Sequence, residues 1–126
     1  MGPINAVSPK YIGDSVQRFF NAAHKPPILW VRGLDDQIVS DESFIDFGTL
    51  GKHKKCPVPD YWPGDGIYPP QPMVSQTRAV LDKYQANAVL YWEKVIVDAA
   101  HTPYIEKPNE FMTHLVKHLE LADRMS

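Results

Sequence analysis

The chain has 126 residues, 44% of them apolar, with three Trp, six Tyr and five Phe; this is enough for one small domain with a hydrophobic core and argues against wholesale disorder. Thirteen Lys+Arg against fifteen Asp+Glu give a net charge of −2, without the basic face that a nucleic-acid binder needs. The longest apolar run, Pro26 to Val31, is far too short to span a bilayer.

Residues 1–13 are polar and punctuated by Pro and Gly, so they read as a loop, and MGPINAVSPK lacks the charged-then-apolar layout of a signal peptide. Cys56, the only cysteine, has no internal disulfide partner, and a reducing, cytoplasmic setting is expected. Asp14 and Gln17 have capping-box spacing at the start of a helix whose stripe is Val16, Phe19, Phe20 and Ala23; Pro26 and Pro27 end it. Ile28-Leu29-Trp30-Val31 is a short continuous apolar run, the profile of a strand buried on both faces of a parallel sheet.

From Asp35 to about Pro72 no periodicity stands out, and six prolines fall between Pro57 and Pro72. The part from 42 to 73 reads as an ordered, packed Pro/aromatic loop. A helix is predicted from Ser75 to about Gln85, burying Val80, Leu81 and Tyr84. A second buried strand is predicted over Lys94–Asp98, with an entry from Val89 as the variant. A last helix follows Pro108, with Phe111, Met112, Leu115, Val116 and Leu119 at helical spacing. Alternating helices and strands imply an α/β fold with a parallel sheet and right-handed crossovers. Two parallel strands are few for a domain, because faces and edges both need cover.

Ligands of open α/β sheets bind beyond the carboxyl ends of the strands. Asp36 follows the first strand and His101 the second. A carboxylate beside an imidazole fixes its tautomer and stabilises the imidazolium formed when it takes a proton.

Gly33-x-x-Asp36-x-Ile38-Val39 behind an apolar strand resembles the acid loop of the α/β-hydrolase family. Ala100-His101-Thr102-Pro103-Tyr104-Ile105-Glu106-Lys107-Pro108-Asn109-Glu110-Phe111 resembles that family's histidine loop and the start of its last helix. The resemblance covers most of residues 14–122, least well between about 42 and 73. It implies the C-terminal portion of one α/β-hydrolase domain: two sheet strands, flanking helices and a long Pro-rich loop. Asp36 then matches the triad acid and His101 the general base, with adjacent Asp35 as the competing acid; the spacing from Gly33 favours Asp36. Two departures stand out. Ala100 replaces the usual glycine before the histidine, and the separation of 65 positions from acid to histidine exceeds the family's usual spacing. The excess lies in the Pro/aromatic loop, where Tyr61, Trp62, Ile67 and Tyr68 are candidate apolar contacts for substrate; a surface embellishment or subunit contact is the alternative.

The family's nucleophile sits in a G-x-S-x-G elbow. None of Ser8, Ser15, Ser40, Ser43, Ser75 and Ser126 has that setting; Ser15, in Gly13-Asp14-Ser15-Val16-Gln17, lacks the second glycine and a preceding strand. The parent activity implied is hydrolysis, an ester-like small molecule being the favoured substrate, with no metal or cofactor. The chain alone is expected to be inactive. It reads as a fragment of a longer hydrolase, as one half of a split hydrolase completed by a second polypeptide, or as a non-catalytic binding or assembly module. An open apolar sheet edge predicts association, with a missing N-terminal half, a complementing chain or a second copy in a homo-oligomer.

Other signals are weaker. His53-x-x-Cys56 offers too few metal ligands, and His114 and His118, at i, i+4, are expected on the solvated face of the last helix with Lys117. Lys52 to Lys55 read as exposed charge. Pro69-Pro70-Gln71-Pro72 is unsuited to polyproline recognition inside a packed loop, and Gly64-Asp65-Gly66 is too short for a phosphate loop.

Overall fold

A computed structural model of the chain describes residues 13–54, 62–86 and 89–125. The elements in order are α1 (Ser15–Phe20), β1 (Ile28–Gly33), α2 (Phe47–His53), α3 (Met73–Gln85), β2 (Tyr91–Ile96), α4 (Pro103–Glu106) and α5 (Pro108–Met125). This is a small α/β arrangement around a two-stranded parallel sheet, in register from Ile28↔Tyr91 to Gly33↔Ile96.

Strand alternation sends Trp30, Arg32, Tyr91 and Glu93 to one face and Leu29, Trp92, Lys94 and Ile96 to the other. On the first face lies α3: its Arg78 meets Glu93 in a two-pronged ion pair at 2.9 Å, and Glu93 also accepts from Arg32 Nε at 2.6 Å. One half-buried carboxylate thus ties strand to strand and strand to helix; two guanidinium donors hold it below the ordinary carboxylate range against the opposing effect of burial. α5 crosses the second face, where the His118 ring stands edge-on to Trp92 at 5.5 Å.

The core is small. Val74, Leu81, Tyr84, Ile96 and Ala99 are its buried apolar residues among those described. Tyr84 is the pivot: its ring stacks on Phe19 of α1 at 4.7 Å, and its hydroxyl donates to the Pro26 carbonyl at 2.6 Å, fixing the approach to β1. Both strands are only half-buried and not fully enclosed as expected: α3 and α5 lie on the two faces, but each strand pairs only with the other among the described residues, which leaves the outer edges open.

Four expectations need correction. α1 ends at Phe20, short of Ala23, and no capping box forms: Asp14 makes no side-chain cap bond, while the Gln17 amide reaches forward to Asn21. β2 starts at Tyr91 and ends at Ile96, so Val97 and Asp98 already turn away. The 42–73 segment contains α2, a helix no periodicity announced. Asp46 caps it, its carboxylate accepting from the N–H groups of Gly48 and Thr49 and from the Thr49 hydroxyl, and also from Gln71 N–H at 2.8 Å. Lastly, α5 does not turn His114 and His118 wholly to solvent: both are partly buried and line a pocket of ≈ 230 Å³ with Leu29, Trp92, Lys94, Lys117 and Leu121. The α5 stripe is instead half open, with Met112, Val116 and Leu119 exposed.

Among the described residues no helix is long and apolar enough to cross a membrane. Asp46→Ala removes a cap and the tie from α2 to Gln71, and should speed amide exchange at Thr49 and Gln71 about tenfold or more. Asp14→Ala, which loses no side-chain bond, should leave exchange in α1 unchanged; equal effects of the two would refute this account of capping.

Candidate functional site

Past Gly33 the chain turns through Leu34 and Asp35, and past Ile96 through Val97 and Asp98. Asp98 has φ 53°, the left-handed region that Asp tolerates better than most residues. The two turns interlock. Leu34 N–H donates to the Ile96 carbonyl at 2.9 Å and Asp35 N–H to the Ala99 carbonyl at 3.0 Å. Gly33 lies directly under the Ala99 and Ala100 carbonyls, and a methyl group there would overlap both oxygens. The glycine is therefore required by close approach, because the atoms a side chain would meet there are backbone.

This crossing brings Asp36 and His101 together. Asp36 Oδ2 lies 3.0 Å from His101 Nδ1. Asp36 Oδ1 accepts the N–H groups of Ile38 at 2.8 Å and Val39 at 2.9 Å, so the carboxylate is gripped by its own loop and cannot swing. Burial alone would raise the Asp36 carboxyl. The hydrogen bond with His101, the two backbone donors and the histidine's charge outweigh it and hold the group below the ordinary aspartate range. A carboxylate only accepts, so the hydrogen in this contact belongs to His101 Nδ1, and the lone pair of a neutral ring is left on Nε2. The Asp36 side chain is 8% exposed and that of His101 47%, a buried carboxylate behind an open imidazole. Asp35, the competitor, contributes its backbone N–H to the crossing; its side chain is exposed and makes no contact with His101.

A second carboxylate holds the histidine loop. Glu106, on α4, accepts from Ala100 N–H at 2.8 Å through Oε2, and from Thr102 N–H and hydroxyl at 3.0 Å through Oε1. The Ala100 amide, opposed by burial but joined by the two Thr102 donors, keeps this carboxyl below its usual range. Sequence reasoning missed Glu106 as a site residue; its only trace was the i, i+4 spacing from Thr102.

The apolar candidates are not gathered at the pair. Tyr61 lies outside the described residues. Trp62 covers Gly51 of α2, whose missing side chain makes room for the indole. Ile67 and Tyr68 are exposed in a turn closed by their N–H groups onto the Gly64 carbonyl. None of these three meets Asp36 or His101 through a hydrogen bond, ion pair or ring contact. The segment is nevertheless rooted at the loop that carries Asp36: the Ser43 hydroxyl donates to the Ile38 carbonyl, Phe44 N–H to the Gln37 carbonyl and Met73 N–H to the Ser40 carbonyl. Among the described residues no group of three or more His, Cys, Asp or Glu could hold a metal ion; Cys56 lies outside them.

No protein-family model matches the chain, and no curated protein and no solved structure matches it.

Gly33→Ala should weaken the crossing by about 3 kcal/mol, the cost of overpacking where neither side can yield. Amide exchange at Leu34 and Asp35 should then rise by about two orders of magnitude; protection unchanged at those amides would show that the overlap is relieved elsewhere. Because the Asp36 pKa is depressed on folding, its stabilising contribution is complete above about pH 3.9, the ordinary aspartate value, and is lost as pH falls through the lowered folded value. Carboxyl-detected NMR should find Asp36 titrating below that value, and His101→Ala should move its midpoint upward. A midpoint indifferent to the substitution would mean the contact is absent in solution.

Proposed function

We propose that the chain is the C-terminal portion of an α/β-hydrolase domain. In this reading Asp36 and His101 supply acid and base, and a nucleophile outside residues 1–126 completes the triad. The supporting observation is the 3.0 Å Asp36–His101 contact at the carboxyl ends of two parallel strands, with the acceptor-only carboxylate on Nδ1. Gly33, Asp36, Ile38 and Val39 each have a structural duty in that contact, which is what a resemblance carried by those residues requires.

The chemistry follows from the free nitrogen. His101 Nε2 takes the proton of an attacking hydroxyl or thiol as it bonds to an acyl carbon, and Asp36 stabilises the resulting imidazolium. The imidazolium then protonates the leaving alkoxide, and water repeats the sequence to release the acid. An ester-like small molecule is the substrate class proposed. Neither strand has a second partner among the described residues, and many large apolar side chains are exposed, among them Ile105, Val97 and Leu34. Those features favour a sheet completed by further chain, in the same polypeptide or a complementing one, over a free-standing binding module.

Intact-mass spectrometry with peptide mapping of the native protein should find a G-x-S-x-G elbow, upstream in the same chain or in a co-purifying one. Ester hydrolysis by that species should fall about 10⁴-fold in Asp36→Asn, and at least as far in His101→Ala. A native species without any such elbow, or hydrolysis indifferent to both substitutions, would reject the reading.

A further inference from the structure

We propose that Glu106 is the positioning residue of His101: its carboxylate fixes the peptides on either side of the histidine, and so aims the ring at Asp36. The inference rests on the reading of His101 as a general base oriented by Asp36.

The imidazole has little else to aim it. Its side chain is 47% exposed, and its hydrogen bond is to Asp36. A half-exposed ring with one polar contact takes its direction from its backbone, so what holds residues 100–102 decides where Nδ1 points. Glu106 holds both flanks. One oxygen accepts from Ala100 N–H and the other from Thr102 N–H and hydroxyl, three bonds of 2.8–3.0 Å bracketing the histidine.

Capping of α4 explains only part of this. Thr102 is the residue before that helix, and a glutamate in the first turn reaching back to it resembles a capping box. The bond to Ala100 lies two residues outside the helix and satisfies no helical donor. Ala100 is also the residue whose carbonyl presses on Gly33, so its position is set by the acid strand on one side and by Glu106 on the other. Attraction to the Asp36–His101 pair does not account for the glutamate's place either, since Asp36 and Glu106 repel each other.

A carboxylate is the group this geometry requires, because all three partners are donors. Glutamine can accept from Thr102 through its oxygen, but it turns an NH₂ group toward Ala100 N–H, donor against donor. Glu106→Gln therefore keeps the size and loses the bracket.

The readout is the tautomer of His101, followed by long-range ¹H–¹⁵N correlation of the imidazole in the ¹⁵N-labelled native protein. In the wild type, Nδ1–H should predominate. In Glu106→Gln the Nδ1–H to Nε2–H ratio should fall about fivefold, roughly what one ordinary hydrogen bond is worth. Glu110→Gln removes the same charge from the first turn of α5, where Glu110 makes no bond to the loop, and should leave the ratio unchanged. Thr102→Val should give a smaller fall and Thr102→Ser none; this pair carries the test if Glu106→Gln does not fold. A purely structural glutamate would quicken amide exchange at Ala100 while leaving the ratio alone. That result would overturn the proposal, as would a Glu110→Gln shift equal to that of Glu106→Gln. Asp36→Asn separates the two layers. If it lowers the ratio and Glu106→Gln does not, only the role of Glu106 is lost; if Asp36→Asn has no effect, the general-base reading falls and this proposal with it.

Discussion

The carboxyl ends of β1 and β2 are held together by backbone alone, and the site depends on that closeness. Gly33 sits beneath two carbonyls of the following strand's turn, and the N–H groups of Leu34 and Asp35 bond across to Ile96 and Ala99. No side chain intervenes, so the distance between the loops is set by peptide geometry and not by rotamer choice. Side chains launched from such a junction inherit its precision, and Asp36 and His101 are launched from its two halves. The Ile38 and Val39 amides then remove the remaining freedom of the carboxylate.

Carboxylates, half-buried or at the surface, recur as organisers of this chain, and each is matched by donors it does not share with the others. Glu93 takes two guanidinium groups at the sheet face. Asp46 takes the start of α2 and the chain at Gln71, and Asp41 takes the Ser75 amide and hydroxyl at the start of α3. An ionised group withdrawn from water is tolerable only when its oxygens are answered. With few fully buried apolar residues among those described, these bonds hold the described parts of the segment between β1 and α3 in place.

How much of this could be read from residues alone varies with the range of the forces involved. β1 was legible because Ile28 to Val31 is unbroken and apolar, and the Asp36–His101 pair because both follow strand ends. β2 was placed too late, from Lys94 onward, because Glu93 interrupts its apolar character; Glu93 sits in the strand where Arg32 and Arg78, distant in sequence, meet it. α2 was hidden for a similar reason. Two glycines and no stripe make Phe47–His53 a poor helix by propensity, and it relies on the Asp46 cap and on Trp62 lying against Gly51. His114 and His118 were expected outside as polar residues on a helix, but Trp92 offers a flat ring for His118 to meet edge-on. Partners supplied by other parts of the chain are what a single element cannot announce.

The parallel register also sets an order of events. Ile28 and Tyr91 pair across nearly half the chain, and closing so long a loop is an entropic cost borne before any ladder bond compensates for it. Local structure within that loop, such as α2 with its Asp46 cap and the helix α3, shortens the stretch of free chain that must be closed. The strands can then meet, and the interlocked turns can form only after they have met. The Asp36–His101 contact therefore presupposes strand pairing, and a chain caught before it carries both side chains without the geometry that joins them.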